Sequence, residues 1–250
     1  MPYANSNGLK IHYVTDGSGP PLVLHHGFTW SHRRWIGYGY ADALKSTHRL
    51  IMMDARGHGL SDKPHDAEAY DPKNQADDVV AVLDDLGIDT AIFWGYSLGG
   101  RVAYALAKYA PERLRALVIG AVHPYGRVLA DSDRIDGSDA LRFIQTMYRR
   151  TGSSLEALPP DAREELFAND FEALSISMGD WPSFEETLPQ IRVPTLLYIG
   201  DADPMLQKVQ TAAGLIPGAQ LEIHPRLDHG SAFRESRTVL PRIKQFLETI

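Results

Sequence analysis

The feature that most limits the fold of this chain is a series of short apolar runs, most of which do not alternate with polar residues. Unalternated runs are typical of strands buried on both faces of a mainly parallel sheet. Helical patterns separate the runs, and strands that alternate with helices predict a doubly wound α/β sheet. The predicted strands are Leu9–Val14, which does alternate, and Pro21–His25, Arg49–Asp54, Ala91–Trp94, Leu114–Val122, Thr195–Ile199 and Leu221–His224.

Three segments between or after these strands carry helix signals. The clearest begins at Asp71-Pro72, a favourable N-cap and first-turn pair, and its apolar residues recur at helical spacing until Gly87 stops it. The other two predicted helices are Gly99–Tyr109 and Ser236–Ile250. A chain of 250 residues fits one large α/β domain better than two small ones.

The alternation of strands and helices stops between residues 123 and 189. Two helical patterns occupy this stretch: the first carries Leu141 and Ile144, and the second runs from Leu166 to Leu174. Strand signals resume only afterwards. We therefore predict a helical insertion at 123–189 into a core domain formed by residues 1–122 and 190–250.

The segment Gly95-Tyr96-Ser97-Leu98-Gly99 matches the pattern G-x-S-x-G between a predicted strand and a predicted helix. Such a sharp turn holds the serine in strained backbone dihedrals, and glycine is needed on both sides because a Cβ atom would clash there. The serine then projects at a helix N-terminus, where the dipole and free N–H groups favour negative charge. Ser97 is therefore the candidate nucleophile.

Five segments together resemble the α/β-hydrolase superfamily over nearly the whole chain, in the family's order. Residues 26–28 (HGF) resemble its oxyanion-hole loop, and residues 54–61 resemble a loop that braces the site in the family. The turn at 95–99 comes third. Residues 200–204 then resemble the family's acid loop, and residues 227–230 resemble its histidine loop. The resemblance implies the α/β-hydrolase fold.

A serine hydroxyl needs an adjacent base to become a nucleophile at neutral pH. The resemblance implies His229 as that base, with His224 inside a predicted strand as the alternative. It implies Asp203 as the carboxylate that orients the histidine, with Asp201 as the alternative. Asp228 stands where the family more commonly has glycine, which places a charge beside the imidazole.

The resemblance also implies two backbone N–H donors for the oxyanion of a tetrahedral intermediate, at Phe28 and Leu98. It implies that the insertion is a small helical cap, which would exclude water and shape a pocket. Arg33 and Arg34 are either a contact for an anionic group or a solvated helix start. The predicted pocket aromatics are Trp30, Tyr96, Tyr125 and Trp181.

Composition and charge exclude several function classes. A net charge of −7 without a basic run predicts no attraction for nucleic acid or anionic membranes, and the absence of cysteine removes thiol chemistry. Residues 1–10 lack a signal-peptide pattern and no apolar run approaches a membrane span, so a cytoplasmic protein is expected. No H-E-x-x-H spacing supports a metal site at His25, His26 and the Asp201/Asp203 pair, so we expect neither metal nor cofactor.

These observations predict a serine hydrolase that cleaves a small carboxylic ester or lactone through an acyl-enzyme on Ser97. His229 would act as base and acid, and Asp203 would orient it; homodimerisation stays open. The serine disfavours haloalkane dehalogenases and epoxide hydrolases, which resemble this chain but use an aspartate nucleophile. Three alternatives remain: a carbon–carbon bond hydrolase, a cofactor-free haloperoxidase and a ligand-binding receptor with slow hydrolysis.

Overall fold

An eight-stranded sheet runs through the part of the chain that the computed structural model describes, which is residues 2–130, 134–151, 155 and 158–250, without the side chains of 148–151. The strands are β1 (Tyr3–Ser6), β2 (Leu9–Asp16), β3 (Pro21–His25), β4 (Arg49–Met53), β5 (Ala91–Tyr96), β6 (Leu114–Gly120), β7 (Thr195–Gly200) and β8 (Gln220–His224). Their order is β1-β2-β4-β3-β5-β6-β7-β8. The pairs β1/β2 and β2/β4 are antiparallel, and the other neighbours are parallel. This topology confirms the predicted α/β-hydrolase fold class.

Helices connect the strands and fill the insertion. They are α1 (Arg33–Gly37), α2 (Tyr40–Leu44), α3 (Pro72–Asp85), α4 (Leu98–Tyr109), α5 (Ala140–Thr151), α6 (Pro160–Phe167), α7 (Phe171–Ser177), α8 (Leu206–Leu215), α9 (Ser231–Arg234) and α10 (Ser236–Leu247). Single 3₁₀ helices cover Ala67–Tyr70, Pro111–Arg113 and Glu185–Gln190. Within the described ranges, no helix has the length and apolarity needed to cross a bilayer.

Two strands of the sheet, β5 and β7, are buried along their whole length. Every residue of β5 and β7 is buried, which explains why their sequences lack polar alternation. Each buried large apolar side chain contributes about 1.5–3 kcal/mol relative to exposure. Because these strands are parallel to β3, the loops at their carboxyl ends gather at one edge of the sheet, where α/β proteins bind ligands.

Strand β1 was not predicted. It pairs with β2 in antiparallel register, and Ala4 and Ser6 are the two residues that it buries. These side chains are too small and too polar to give an apolar strand signal. The partner strand, rather than local propensity, therefore places this segment in the sheet.

The pattern predicted as one helix from Leu166 to Leu174 forms parts of two helices, α6 and α7. The break comes at Asp170, whose side-chain oxygen accepts a hydrogen bond from the N–H of Ala173 at 3.0 Å and caps α7. The prediction of a single helix was wrong because the apolar spacing continues across this N-cap.

The segment between β6 and β7, in which the insertion at 123–189 was predicted, contains α5, α6 and α7, which share a small apolar core of their own. Its buried members are Phe143, Ile144, Leu166, Phe171 and Leu174. Phe28, from the loop after β3, packs against this core, and its ring centroid lies 6.3 Å from that of Phe143. The insertion therefore touches the same loop that resembles an oxyanion-hole loop.

Candidate active site

The turn between β5 and α4 holds Ser97 in a conformation that non-glycine residues rarely adopt, with φ 52° and ψ −104°. A Cβ atom on Gly95 would lie 2.1 Å from the carbonyl oxygen of Gly99. A Cβ atom on Gly99 would lie 2.2 Å from the carbonyl oxygen of His25. Both obstacles are backbone atoms, so neither position accepts a side chain while the serine keeps this conformation.

Ser97, His229 and Asp203 form one hydrogen-bonded chain. Nδ1 of His229 lies 2.8 Å from Oδ2 of Asp203, and Nε2 lies 3.0 Å from Oγ of Ser97. Asp203 is 3% exposed, and its other oxygen accepts the N–H of Met205 at 2.9 Å. The carboxylate favours the histidine tautomer with its proton on Nδ1, which leaves Nε2 free to accept the serine proton.

The alternatives to these residues make other contacts. Asp201 accepts the backbone N–H of Arg226 at 2.6 Å, and His224 is buried at the end of β8. Asp228 accepts the N–H and the hydroxyl of Ser231, both at 2.6 Å. Partial burial raises the pKa of Asp228, but the Ser231 hydrogen bonds outweigh it and the net pKa is lowered. Its carboxylate therefore binds the first residue of α9.

The loop after β3 is fixed to the serine turn by backbone contacts. The ring of His26 bonds the carbonyl oxygen of Gly27 through Nδ1 at 2.7 Å and accepts the N–H of Ala55 through Nε2 at 3.0 Å. The N–H of Gly99 donates to the carbonyl oxygen of His26 at 3.1 Å. Burial lowers the pKa of His26 well below its usual value, so the ring stays neutral as this bonding requires.

The two backbone groups predicted as oxyanion donors lie on either side of this contact. Leu98 is the first residue of α4, where a backbone N–H has no partner within the helix. Phe28 lies in the loop after β3, next to Gly27, whose Cβ position would be 3.6 Å from Cβ of Ser97. Both residues thus lie close to the serine in the fold.

The loop at 54–61 is held by buried charges. Arg56 makes two hydrogen bonds to Asp78 of α3, at 2.6 and 2.7 Å. Asp54 accepts Nδ1 of both His12 and His32 at 2.9 Å. In the described part of the chain, these last three side chains also have their ligand atoms within 4.8 Å of one another, a spacing compatible with a metal ion. The hydrogen bonds among them already account for their mutual arrangement.

A cavity of about 250 Å³ opens beside Ser97 and His229. Apolar side chains from the loop after β3 and from residues 123–189 line it together with arginines. Its lining side chains include Phe28, Trp30, Tyr96, Met147, Leu158, Met178, Arg101, Arg127 and Arg234. Trp30 and Tyr96, both predicted for the pocket, stack with centroids 5.9 Å apart. The hydroxyl of Tyr96 also donates to the carbonyl oxygen of His229.

Tyr125 and Trp181 were predicted for this pocket but are not among its lining residues. Trp181 exchanges backbone hydrogen bonds with Arg127 and lines a separate cleft together with Tyr70. Arg101 and Arg127 line the pocket instead, so arginines stand where aromatic side chains were predicted. Arg101 could have been found, because it follows Ser97 by four residues on a predicted helix.

Arg34 is neither a substrate contact nor a solvated helix start. It is 4% exposed and forms ion pairs with Glu165 and Asp161 of α6. Arg33, its neighbour, is exposed. The buried arginine therefore joins α1 to the insertion.

Residues 20–150 match the α/β-hydrolase fold family. The chain belongs to this family. It is 28% identical to a putative 2-succinyl-6-hydroxy-2,4-cyclohexadiene-1-carboxylate synthase of Bacillus subtilis, covering 98% of this chain and 97% of the relative. It is 30% identical to a putative non-heme chloroperoxidase of Synechocystis, covering 99% and 100%.

A solved structure also matches nearly the full chain. It is described as Est816, an N-acyl homoserine lactone degrading enzyme, and it superposes with a TM-score of 0.80 at 27% identity, covering 98% of this chain and all of that one. Taken together, the family and these similar proteins support a hydrolase enzyme.

Proposed function

We propose that this chain is a serine hydrolase that cleaves an ester or lactone of a small molecule through an acyl-enzyme on Ser97. The observation that carries the proposal is the hydrogen-bonded chain from Asp203 through His229 to Ser97, which opens into a cavity. A hydroxyl, a base and an orienting carboxylate in this order can activate a serine.

In the first half of the reaction, Nε2 of His229 takes the proton of Ser97 as Oγ attacks the substrate carbonyl carbon. Asp203 stabilises the imidazolium that forms. The histidine then gives this proton to the departing alkoxide, and the acyl group stays on the serine. In the second half, a water molecule loses its proton to the histidine and attacks the acyl carbon. The bond from this carbon to Oγ then breaks, and the histidine returns the proton to Ser97 as the acid is released.

The tetrahedral intermediate of each half carries a negative oxygen. In this proposal the N–H groups of Phe28 and Leu98 donate to it, and the N-terminus of α4 adds its dipole. The hydrogen bond from Gly99 to His26 supports this assignment, because it fixes the two donor segments relative to each other. One such donor is worth about 3 kcal/mol in a transition state.

Residues 123–189 act in this proposal as a cap over the cavity. Support comes from Met147, Leu158 and Met178, which reach the cavity wall from the insertion. Covering the acyl-enzyme with apolar side chains limits water to what deacylation uses. The name of the lactone-degrading neighbour favours including lactones beside open-chain esters.

The test is hydrolysis of p-nitrophenyl esters and of lactones by the wild-type protein and the Ser97→Ala variant. We expect turnover by the wild type, a loss of at least about 10⁴-fold in the variant, and an unchanged circular dichroism spectrum. A covalent serine-directed phosphonate should label the wild type alone. Equal turnover by the two proteins would overturn the proposal.

A second candidate is transfer of the same acyl group to hydrogen peroxide in place of water. The full-length similarity to a protein named as a non-heme chloroperoxidase favours it. Attack of peroxide on the acyl-enzyme would give a peroxy acid, which oxidises halide outside the protein. Adding acetate, peroxide and bromide to the assay distinguishes the candidates, because only this one predicts serine-dependent halogenation.

A further inference from the structure

The cavity beside Ser97 has an unusual charge balance. Three arginines line it, Arg101, Arg127 and Arg234, and none of its other described lining residues is an aspartate or a glutamate. Most of its remaining wall is apolar, from Phe28 and Trp30 to the methionines of the insertion. A neutral ester would need no such concentration of positive charge.

Arg101 is the arginine most closely tied to the nucleophile. It lies in the first turn of α4, and its N–H donates to the carbonyl oxygen of Ser97 at 3.0 Å. Residues four apart on a helix lie on the same face, with Cβ atoms about 6 Å apart. The guanidinium carbon lies over the ring of Trp181, 5.4 Å from its centroid, a cation–π contact.

In the described part of the chain, no carboxylate forms an ion pair with Arg101. This contrasts with the buried arginines Arg34 and Arg56, which are both paired with carboxylates. A desolvated cation without a counter-charge costs free energy that a bound anion would offset.

Arg101 keeps its charge despite this setting. Burial lowers its pKa to about 10, and repulsion from Arg127 adds to the effect. At pH 7 the guanidinium therefore remains protonated. Its planar fork can donate two parallel hydrogen bonds to a carboxylate, a geometry that the ammonium of lysine does not reproduce.

We propose that Arg101, assisted by Arg127 and Arg234, binds a carboxylate of the substrate, so that the natural ester or lactone is an anion. The carboxylate would lie on the α4 side of the cavity, and the hydrocarbon part would lie against the apolar wall. This inference rests on the proposed function, because it assigns the substrate class of the same site. The cavity of about 250 Å³ restricts the substrate to a small molecule.

The test compares two esters that differ only in charge: mono-p-nitrophenyl glutarate and the corresponding glutaramide ester. We expect wild-type kcat/KM to favour the anion by at least about tenfold, as a charge-assisted hydrogen-bond pair allows. The Arg101→Met variant keeps most of the aliphatic stem of the side chain and should lose this preference, so that its kcat/KM falls at least about tenfold more for the anionic ester than for the glutaramide ester. The preference of the Arg101→Lys variant for the anionic ester should lie between those of the wild type and Arg101→Met.

Arg237→Met is the matched control, because it removes an exposed arginine of α10 that does not line the cavity. It should keep the wild-type preference for the anion. Loss of preference in the control as well would attribute the effect to net charge and overturn the subsite. Hydrolysis of both esters that depends on Ser97 but shows no preference for the anionic one would leave the hydrolase proposal standing and overturn the subsite alone.

If the wild type cleaves neither ester, calorimetric titration with glutarate decides the subsite separately. At least about tenfold weaker binding to Arg101→Met than to the wild type and Arg237→Met would support the carboxylate site while the hydrolase proposal fails. Equal binding to all three proteins would overturn the site. Thermal unfolding of each variant checks that it is folded before either comparison.

Discussion

The sheet core and the helical insertion position their contributions to the cavity by different means. In the core, backbone sterics decide: Gly95 and Gly99 leave no room for a side chain, and Ser97 is held in one strained conformation. In the insertion, side-chain contacts decide the position, because the helices are held by a small apolar cluster and by a few polar contacts to the core. Backbone packing tolerates almost no change, whereas side-chain contacts can be exchanged one at a time.

The polar contacts between the two regions converge on the loop after β3 and the start of α1. Glu165 of α6 binds both Arg34 and the hydroxyl of Ser31. The side-chain amide of Asn169 donates to the carbonyl oxygen of Thr29 at 3.0 Å. The loop proposed to hold the oxyanion is thus the place where the insertion can influence the chemistry.

The largest effect should come from the core, at the carboxylate behind the histidine. Asp203→Asn keeps the shape but favours the wrong tautomer of His229, and kcat for ester hydrolysis should fall by about 10⁴-fold. Asp201→Asn is the matched control, because its carboxylate closes a turn with Arg226 and should change kcat by less than about threefold. Steady-state kinetics of both variants measure this, and equal losses would refute Asp203 as the orienting residue.

The second effect is a loss of core stability in acid. Burial lowers the pKa of His25 and of His58 to about 4 in the folded protein, against 6.5 for an unperturbed histidine. The unfolded chain therefore binds more protons between these values, so stability is full above pH 6.5 and is lost as the pH falls towards 4. At pH 5 each histidine should cost on the order of 2 kcal/mol of unfolding free energy.

Urea unfolding at pH 7 and pH 5 measures this loss. Asp54 does not contribute in that range, because its pKa is lowered and the stability that it supplies disappears only below its unfolded value. His65→Asn is the control: His65 is exposed, its pKa is raised by Asp170, and its removal should leave the loss between pH 7 and 5 nearly intact. Equal stability at the two pH values would show that the buried histidines can protonate in the fold.

The same contrast explains what the sequence could reveal. Seven strands were predictable from apolar runs or, in β2, from polar alternation, and the serine turn was predictable from its place between a strand and a helix, because each of these features leaves a local signal. The segment Tyr3–Ser6 left none, since its pairing with β2 decides its conformation. The contact between Arg34 and Glu165 joins residues 131 positions apart, and no local pattern indicates which arginine is buried. Contacts made by side chains across the fold are therefore what sequence reasoning missed.

The smallest of these effects concerns the joint between the core and the insertion, formed by Arg34 of α1 with Glu165 and Asp161 of α6. Glu165 is nearly buried against Arg34, with 11% of its side chain exposed, whereas 69% of the Asp161 side chain is exposed beside the same arginine. Glu165→Gln leaves a buried cation short of a partner and should cost about 2 kcal/mol, below the range for a fully buried pair. Asp161→Asn should cost less than about 1 kcal/mol, because water already screens that pair.

Limited proteolysis with the cleavage sites mapped distinguishes opening of the joint from unfolding of the core. Faster cleavage within residues 123–189 in Glu165→Gln alone, with the core fragments intact, would mean that the insertion opens as a unit around this contact. An increase in KM with kcat retained should accompany it, because the nucleophile and its base lie in the core. Uniform cleavage along the chain would instead mean that core and insertion unfold together, and the distinction between them would fail.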